Sequence, residues 1–311
     1  MTGTAHTPPI FIVGPPRSGT HLLRFCLAQH SRIYLAPETS FFIRGYGNRR
    51  LDPGLFRDRR TPSLAEDLIN ESGDPSMTDV APHRDALHTA VAEARDYRDF
   101  ADGFFEEMAG IAGKPRWGEK TPLHALYLPQ IFAVYPEAKV VFLMREAKNT
   151  LASTLKSGHV GFGFFDALAI YMRVHREWRR CAGEPSIVRL RYEEFVADPE
   201  AHLRAICDFI GEEFEPAMLA PGMIDSSYRE GVMDRQPDIA IMPDDPLKWQ
   251  GVLTPAQASL IDRALSGPVL PITRFGYLLA RTRLTLAIRI AKNRAGFFHL
   301  GSRRTRRRKC V

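Results

Sequence analysis

Residues 14 to 20 read Gly-Pro-Pro-Arg-Ser-Gly-Thr, directly after the apolar run Ile10-Phe11-Ile12-Val13 and before Leu22, Leu23, Phe25, Cys26 and Leu27. Strand, glycine turn, helix is the order in which successive backbone N–H groups gather around an oxyanion at a helix N-terminus. A loop of this kind built for ATP has Lys directly after the second Gly, then Ser or Thr as a magnesium ligand. Those two positions hold Thr20 and His21, and the cation stands at Arg17 instead. The run is therefore a phosphate cradle with its charge displaced and its magnesium ligand missing, which argues against kinase chemistry. Taken alone, it also fits a plain turn between a strand and a helix.

Further residues have the chemistry of an anion site. Val140 to Met144 is an apolar strand followed by Arg145 and, eight residues on, by Ser153. An Arg at a strand end offers forked donors to a dianionic phosphate, and a Ser on the next helix adds a hydroxyl. Each has a plainer alternative, a surface ion pair for Arg145 and a solvated helix position for Ser153. Their order and spacing after the first loop favour the phosphate.

Pro16-Arg17-Ser18-Gly19-Thr20 after an apolar strand resembles the 5′-phosphosulfate loop of the sulfotransferases, and Arg145 with Ser153 resembles that family's 3′-phosphate signature. The resemblance is to bacterial members similar to the tyrosylprotein branch, and it covers scattered motifs between residues 10 and 250. It implies 3′-phosphoadenosine 5′-phosphosulfate as sulfuryl donor, a hydroxyl acceptor and no metal. The donor-binding set it implies is Arg17, Ser18, Gly19, Thr20, His21, Arg145, Ser153, Tyr192 and Lys248. Tyr192, in Arg191-Tyr192-Glu193-Glu194-Phe195 before Asp198-Pro199, either stacks on the adenine or is a half-buried aromatic at a strand end. Lys248, in Lys248-Trp249 after Pro243-Asp244-Asp245-Pro246, is either an added donor-site cation or a solvated Lys beside a packed Trp. His21 touches the donor or lines the wall.

The same resemblance implies a catalytic set of Glu38, Lys120 and Arg17. In-line sulfuryl transfer needs a base for the acceptor proton and cations for the charge on bridging and leaving oxygens. Glu38, in Pro37-Glu38-Thr39, stands where the branch places its base, with Phe41 and Phe42 expected to supply an apolar pocket. A carboxylate at a helix start is the plainer account of Glu38. Lys120, in Trp117-Gly118-Glu119-Lys120-Thr121-Pro122, matches the Lys that approaches the bridging oxygen. Cytosolic sulfotransferases follow that Lys-Thr with a basic His, but Pro122 stands here and shifts the base role to Glu38. His124 is the rival base, since imidazole titrates near neutrality, although its helix-like position suits packing or surface exposure.

The elements that must position these residues alternate. Ile10–Val13, Ile33–Leu35, Ala138–Met144 and Ser186–Leu190 read as strands, and 150–156 and 165–181 as helices with apolar residues at steps of three and four. The expected fold is α/β, a P-loop-type parallel sheet flanked by helices. Residues 44–115, richer in Arg, Asp, Pro and Gly, are expected as a mainly helical insertion on the acceptor side. The simplest partition is one domain over 1–280 and a basic amphipathic helix and tail over 281–311.

Composition sets outer bounds. The 311 residues, 44% hydrophobic and 25% charged, suffice for a full core without covalent staples. Cys26, Cys181, Cys207 and Cys310 are widely separated, and buried thiols in a reducing cytoplasm are expected. No basic segment precedes the first apolar run and no stretch reaches membrane-spanning length, so a cytoplasmic location is expected. Eleven of the 42 Lys and Arg fall in 281–311, which holds no acid, so the net charge of +6 is a property of the tail. That tail either rests on the inner face of an anionic membrane or is a disordered end beside a packed helix. It lacks interleaved aromatics, which argues against nucleic acid. The competing functions are an ATP- and magnesium-dependent phosphotransferase and a non-catalytic membrane-binding module. Acceptor identity and oligomeric state are not written in the sequence.

Overall fold

A computed structural model describes residues 7–36, 38–43, 83–92, 94–157, 163–221 and 240–266. The basic segment 281–311 and residues 44–82 lie outside the described residues. Five short runs, Ile10–Val13 (β1), Ile33–Ala36 (β2), Arg116–Lys120 (β3), Lys139–Met144 (β4) and Ile187–Arg191 (β5), pair into one parallel sheet in the order β2-β3-β1-β4-β5. The helices are α1 (Thr20–Ala28), α2 (Arg84–Val91), α3 (Tyr97–Ile111), α4 (Leu128–Val134), α5 (Ala147–Ser157), α6 (Phe164–Arg180), α7 (Tyr192–Ala197), α8 (Pro199–Ile210) and α9 (Pro255–Ser266). The α/β fold with a P-loop-type parallel sheet is as the strand and helix alternation predicts.

Both faces of the sheet are covered, which is why β1 and β4 are continuous apolar runs with no alternation. Side-chain direction alternates along each strand and divides the core in two. Ile10, Ile12, Val141 and Leu143 pack with Leu23, Leu27, Leu203 and Ile206 of α1 and α8. Phe11, Val13, Phe142 and Met144 face the other way and join α3, α4, α5 and α6. Each fully buried Phe or Leu contributes roughly 1.5–3 kcal/mol of transfer free energy as an upper figure.

Two sequence expectations shift. β3 was not evident from periodicity, since Arg116-Trp117-Gly118-Glu119-Lys120 is mostly polar, yet all five residues are buried. Arg116 is tolerated there because it donates to the Pro8 and Ile210 carbonyls, at 2.9 and 2.7 Å, and pairs with Glu212 at 3.1 Å. The described part of 44–115 is helical, as expected. Its helix α3 is more than a cover beside the sheet, however, because Phe100, Phe104, Phe105 and Met108 are buried in the same core as β1.

The chain leaves β1 through α1 towards β2, whereas it leaves β4 through α5 and α6 towards β5. Connections that diverge from neighbouring strands open a crevice at their C-terminal ends. That crevice lies between β1 and β4, where the 14–20 loop and Arg145 begin.

Candidate active site

The 14–20 loop is fixed by backbone geometry. A Cβ on Gly14 would fall 2.2 Å from the Leu143 carbonyl oxygen, so glycine is what lets the turn lie against β4. Gly14 N donates to the Pro122 carbonyl at 3.0 Å, tying the loop to the segment after β3. Arg17 and Gly19 adopt positive φ of 67° and 94°, which reverse the chain into α1. Among the described residues no side chain caps α1 and its first turn holds no acid, a setting that favours an anion at a helix N-terminus. Ser18 is fully buried, with Oγ 3.5 Å from the Leu143 carbonyl, and Thr20 is 3% exposed. The Ser18 side chain thereby seats the loop against β4.

Arg17 joins the two predicted halves of the site: its Nε donates to Ser153 Oγ at 3.3 Å, from the loop to α5. Arg145 follows β4 and is held from three sides. Tyr171 Oη donates to its carbonyl at 2.8 Å, its guanidinium lies 4.7 Å from the Tyr192 ring centre, and its Nε donates to Asp244 Oδ2 at 2.8 Å. Tyr192 opens α7 at the end of β5 and also abuts Gly19, so one ring touches both halves. Burial pushes its phenol pKa up, partly offset by Arg145.

The carboxylate and lysine of the catalytic prediction also meet. Lys120 Nζ, at the end of β3 and fully buried, donates to Glu38 Oε2 at 2.7 Å, and Glu38 is 36% exposed. A buried ammonium requires such a partner. Phe41 and Phe42 do not wall Glu38 in the expected way, because their rings turn into the core against Tyr97, Phe100, Phe105 and Phe11.

What holds Glu38 in place is a buried polar cluster that the sequence did not disclose. Glu119 Oε1 accepts from Thr39 Oγ1 at 2.8 Å and Thr39 N at 3.3 Å, and makes a short contact with Thr121 Oγ1. Thr121 Oγ1 also accepts from Ser40 N at 3.0 Å, and His124 Nε2 accepts from Phe42 N at 3.1 Å. Accepting at Nε2 leaves the ring proton of His124 on Nδ1, 2.9 Å from Glu119 Oε2. Burial pushes the Glu119 carboxyl up, but the His124 ring and the Thr121 and Thr39 hydroxyls outweigh it and hold it below its ordinary value. His124 is thus packed, as its position suggested. It is fully buried, with Nε2 taken by Phe42 N.

His21 sits on α1 with part of its side chain open to the cleft. Burial in that concave wall, then the charges of Lys120, Arg24 and Arg17, drive its pKa well below 6.5. It is a neutral ring within reach of three cations. Lys248 is exposed and does not dock on the site; its neighbours do, Asp244 on Arg145 and Trp249 N on Asn149 Oδ1 at 3.0 Å. Asn149 and Asp244 went unrecognised in the sequence, since neither stands in a motif and only the fold brings Asp244 to Arg145 and to Asn149. Among the described residues no cluster of three or more His, Cys, Asp or Glu is placed to hold a metal ion, and no helix is long and apolar enough to cross a membrane.

Every strand of the sheet thus delivers a piece of the site at its C-terminal end: the cradle after β1, Glu38 after β2, Lys120 on β3, Arg145 after β4 and Tyr192 after β5. Together they line one crevice with a glycine loop, cations and a carboxylate, and comparison with known proteins says what family carries it. Residues 8–216 match the Sulfotransferase family, so the chain is a member of that family. It is 25% identical over 265 residues to protein-tyrosine sulfotransferase A of Caenorhabditis elegans, covering 79% of this chain and 62% of that protein. It is also 25% identical over 246 residues to omega-hydroxy-beta-dihydromenaquinone-9 sulfotransferase Stf3 of Mycobacterium bovis, covering 66% of this chain and 63% of that protein. The chain therefore spans somewhat under two thirds of both relatives. The fold matches the sulfotransferase domain from the curacin biosynthetic pathway with a TM-score of 0.57 at 22% identity, over 86% of this chain and all of that one.

Proposed function

We propose that the chain transfers a sulfuryl group from 3′-phosphoadenosine 5′-phosphosulfate to a hydroxyl by in-line displacement, with Glu38 as general base. The observation that carries this is the Lys120–Glu38 contact at 2.7 Å beside the displaced-cation loop. Glu38 is open enough to receive an acceptor, and Lys120 is held on the strand next to β1, with Ile12 as its partner in register. Proton uptake by Glu38 neutralises it, and the Lys120 charge then turns to the oxygen that departs from sulfur. One group drives the nucleophile and the other stabilises the leaving phosphate, in a single coupled exchange.

Donor binding falls to the chain's own cradle. The α1 amides and Arg17 suit the 5′-phosphosulfate, Arg145 and Ser153 suit the 3′-phosphate, and the exposed part of Tyr192 suits the adenine face. His21, kept neutral, suits a hydrogen bond to the transferred group without adding charge. The acceptor class is a hydroxyl; the relatives are named for a protein tyrosine and for an omega-hydroxylated menaquinone, and both groups offer one.

Calorimetry with adenosine 3′,5′-bisphosphate and with 5′-AMP, each with and without magnesium, tests the donor. Metal-independent binding with a clear preference for the bisphosphate is expected, and Arg145→Ala should abolish the preference. Binding of neither nucleotide, or dependence on magnesium and ATP, overturns the proposal.

A further inference from the structure

Asp244 occupies the fork of Arg145. Arg145 Nε donates to Oδ2 at 2.8 Å, and Nη2 makes a second, short contact with Oδ1, so the pair is bidentate. Both side chains are nearly buried, at 9% and 6% exposure. The loop that brings Asp244 there is fastened to α5 by Asn149. Its Nδ2 donates to the Asp245 carbonyl at 2.8 Å and to Asp244 Oδ2 at 3.3 Å, and its Oδ1 accepts from Trp249 N at 3.0 Å. Lys148 Nζ lies 5.4 Å from the Trp249 ring centre and completes the attachment.

Asp244 takes the Nε–Nη2 edge of the guanidinium, one of its two bidentate edges for an oxyanion. A phosphate dianion can take neither that edge nor the adjoining Nη1–Nη2 edge beside the carboxylate without bringing like charges together in a low-dielectric setting. We infer that Asp244 is an affinity-setting residue of the donor site, a built-in carboxylate that the donor's 3′-phosphate must displace from Arg145. This rests on Arg145 being the 3′-phosphate ligand. A nucleotide without that phosphate has nothing to exchange for Asp244 and leaves the pair closed. A nucleotide with it regains on Arg145 the charge-assisted contacts that Asp244 gives up. The same exchange runs backwards when the bisphosphate product leaves, with Asp244 returning to Arg145. Asp244 therefore trades donor affinity for product release.

The test is calorimetric binding of adenosine 3′,5′-bisphosphate and 5′-AMP to the full chain and to D244N, R145A and the double variant. D244N should tighten the bisphosphate about tenfold, the scale of one charged hydrogen bond, and change 5′-AMP less than twofold. The gain should vanish in the R145A background, as coupling between the two side chains requires. N149A, which loosens the loop without touching Arg145, should tighten the bisphosphate in the same direction by a smaller factor. It serves in place of D244N if that variant does not fold. If R145A leaves the bisphosphate preference intact, the 3′-phosphate assignment itself fails. If R145A abolishes the preference but D244N and N149A leave bisphosphate binding unchanged or weaker, Asp244 orients Arg145 and the exchange is wrong.

Discussion

Gly19 and the Tyr192 ring are in direct contact across the crevice: a Cβ on Gly19 would lie 2.3 Å from Cδ2 of Tyr192. The glycine also sits at φ 94°, where a side chain is strained whatever the space. G19A is expected to cost about 1–3 kcal/mol of stability from the backbone alone. It should also push Tyr192 away from Arg145 and weaken adenosine 3′,5′-bisphosphate binding at least tenfold. Chemical denaturation and calorimetry on the same preparation check both effects. Unaltered nucleotide affinity would mean that the loop and Tyr192 do not form one site.

Glu38 and Lys120 are expected to separate kinetically. E38Q should lower turnover by about 10²–10⁴-fold, the range for a lost general base, while bisphosphate affinity stays within a few-fold. K120M removes the charge on the departing oxygen and should lower turnover by roughly 10²–10³-fold. Because the two side chains are in contact, the double variant should fall well short of the product of the single effects. Turnover of E38Q at the level of the unmodified chain removes Glu38 from the mechanism.

Thr39 has a positioning part, since it donates twice to Glu119 and adjoins Glu38 in sequence. T39V keeps the shape and deletes two buried hydrogen bonds, the one to Glu119 Oε1 and the one from Phe41 N, at a cost of about 1–3 kcal/mol each. Turnover should drop about tenfold by analogy with small misplacements of reacting groups, with bisphosphate binding within twofold, and T39S should recover it. A T39V variant that loses stability but not turnover would limit the Glu119 cluster to folding.

The pH dependence of stability follows from His21. Its folded pKa is depressed, by burial first and then by Lys120, Arg24 and Arg17, so the folded chain binds fewer protons than the unfolded one below about pH 6.5. Stability is therefore whole above that value and declines as pH falls from it towards the lower folded pKa. His175, depressed by burial and by Arg179 and Arg191, acts in the same direction. Glu119 and Asp99, whose pKa values are also lowered, contribute above their ordinary values and lose that contribution only as pH falls through their folded ones. Urea midpoints measured between pH 5 and 7.5 should fall on acidification, and H21N should flatten the fall in part. An identical slope in H21N would show that the ring is not held neutral.

The strands β1, β4 and β5 and the helices α1, α5 and α6 were legible in the sequence within a few residues, because burial on both faces leaves unbroken apolar runs and burial on one leaves a helical period. The phosphate loop was legible for a related reason. Gly14 and Gly19 are dictated by close backbone approach, a local requirement that shows in residue type. Arg17, Glu38, Lys120, Arg145 and Tyr192 could be picked out as residues at or within a few positions of a strand end, and Ser153 as a residue of the helix after Arg145.

What the linear order could not convey was pairing. β3 was hidden because its charged residues are neutralised by Pro8, Ile210, Glu212 and Glu38, partners that only the folded chain brings near. The inward turn of Phe41 and Phe42, the engagement of both nitrogens of His124 and the seat of Asp244 on Arg145 were decided by tertiary structure for the same reason. A buried polar group is stable only with its partner, and the partners of Arg116, Lys120, His124 Nε2 and Arg145 lie from 82 to 108 residues away. The amino-acid sequence by itself determined that an oxyanion cradle with a displaced cation stands at the head of a parallel sheet. The fold alone determined which carboxylate meets the lysine, which histidine is fully buried, and which aspartate pairs with Arg145.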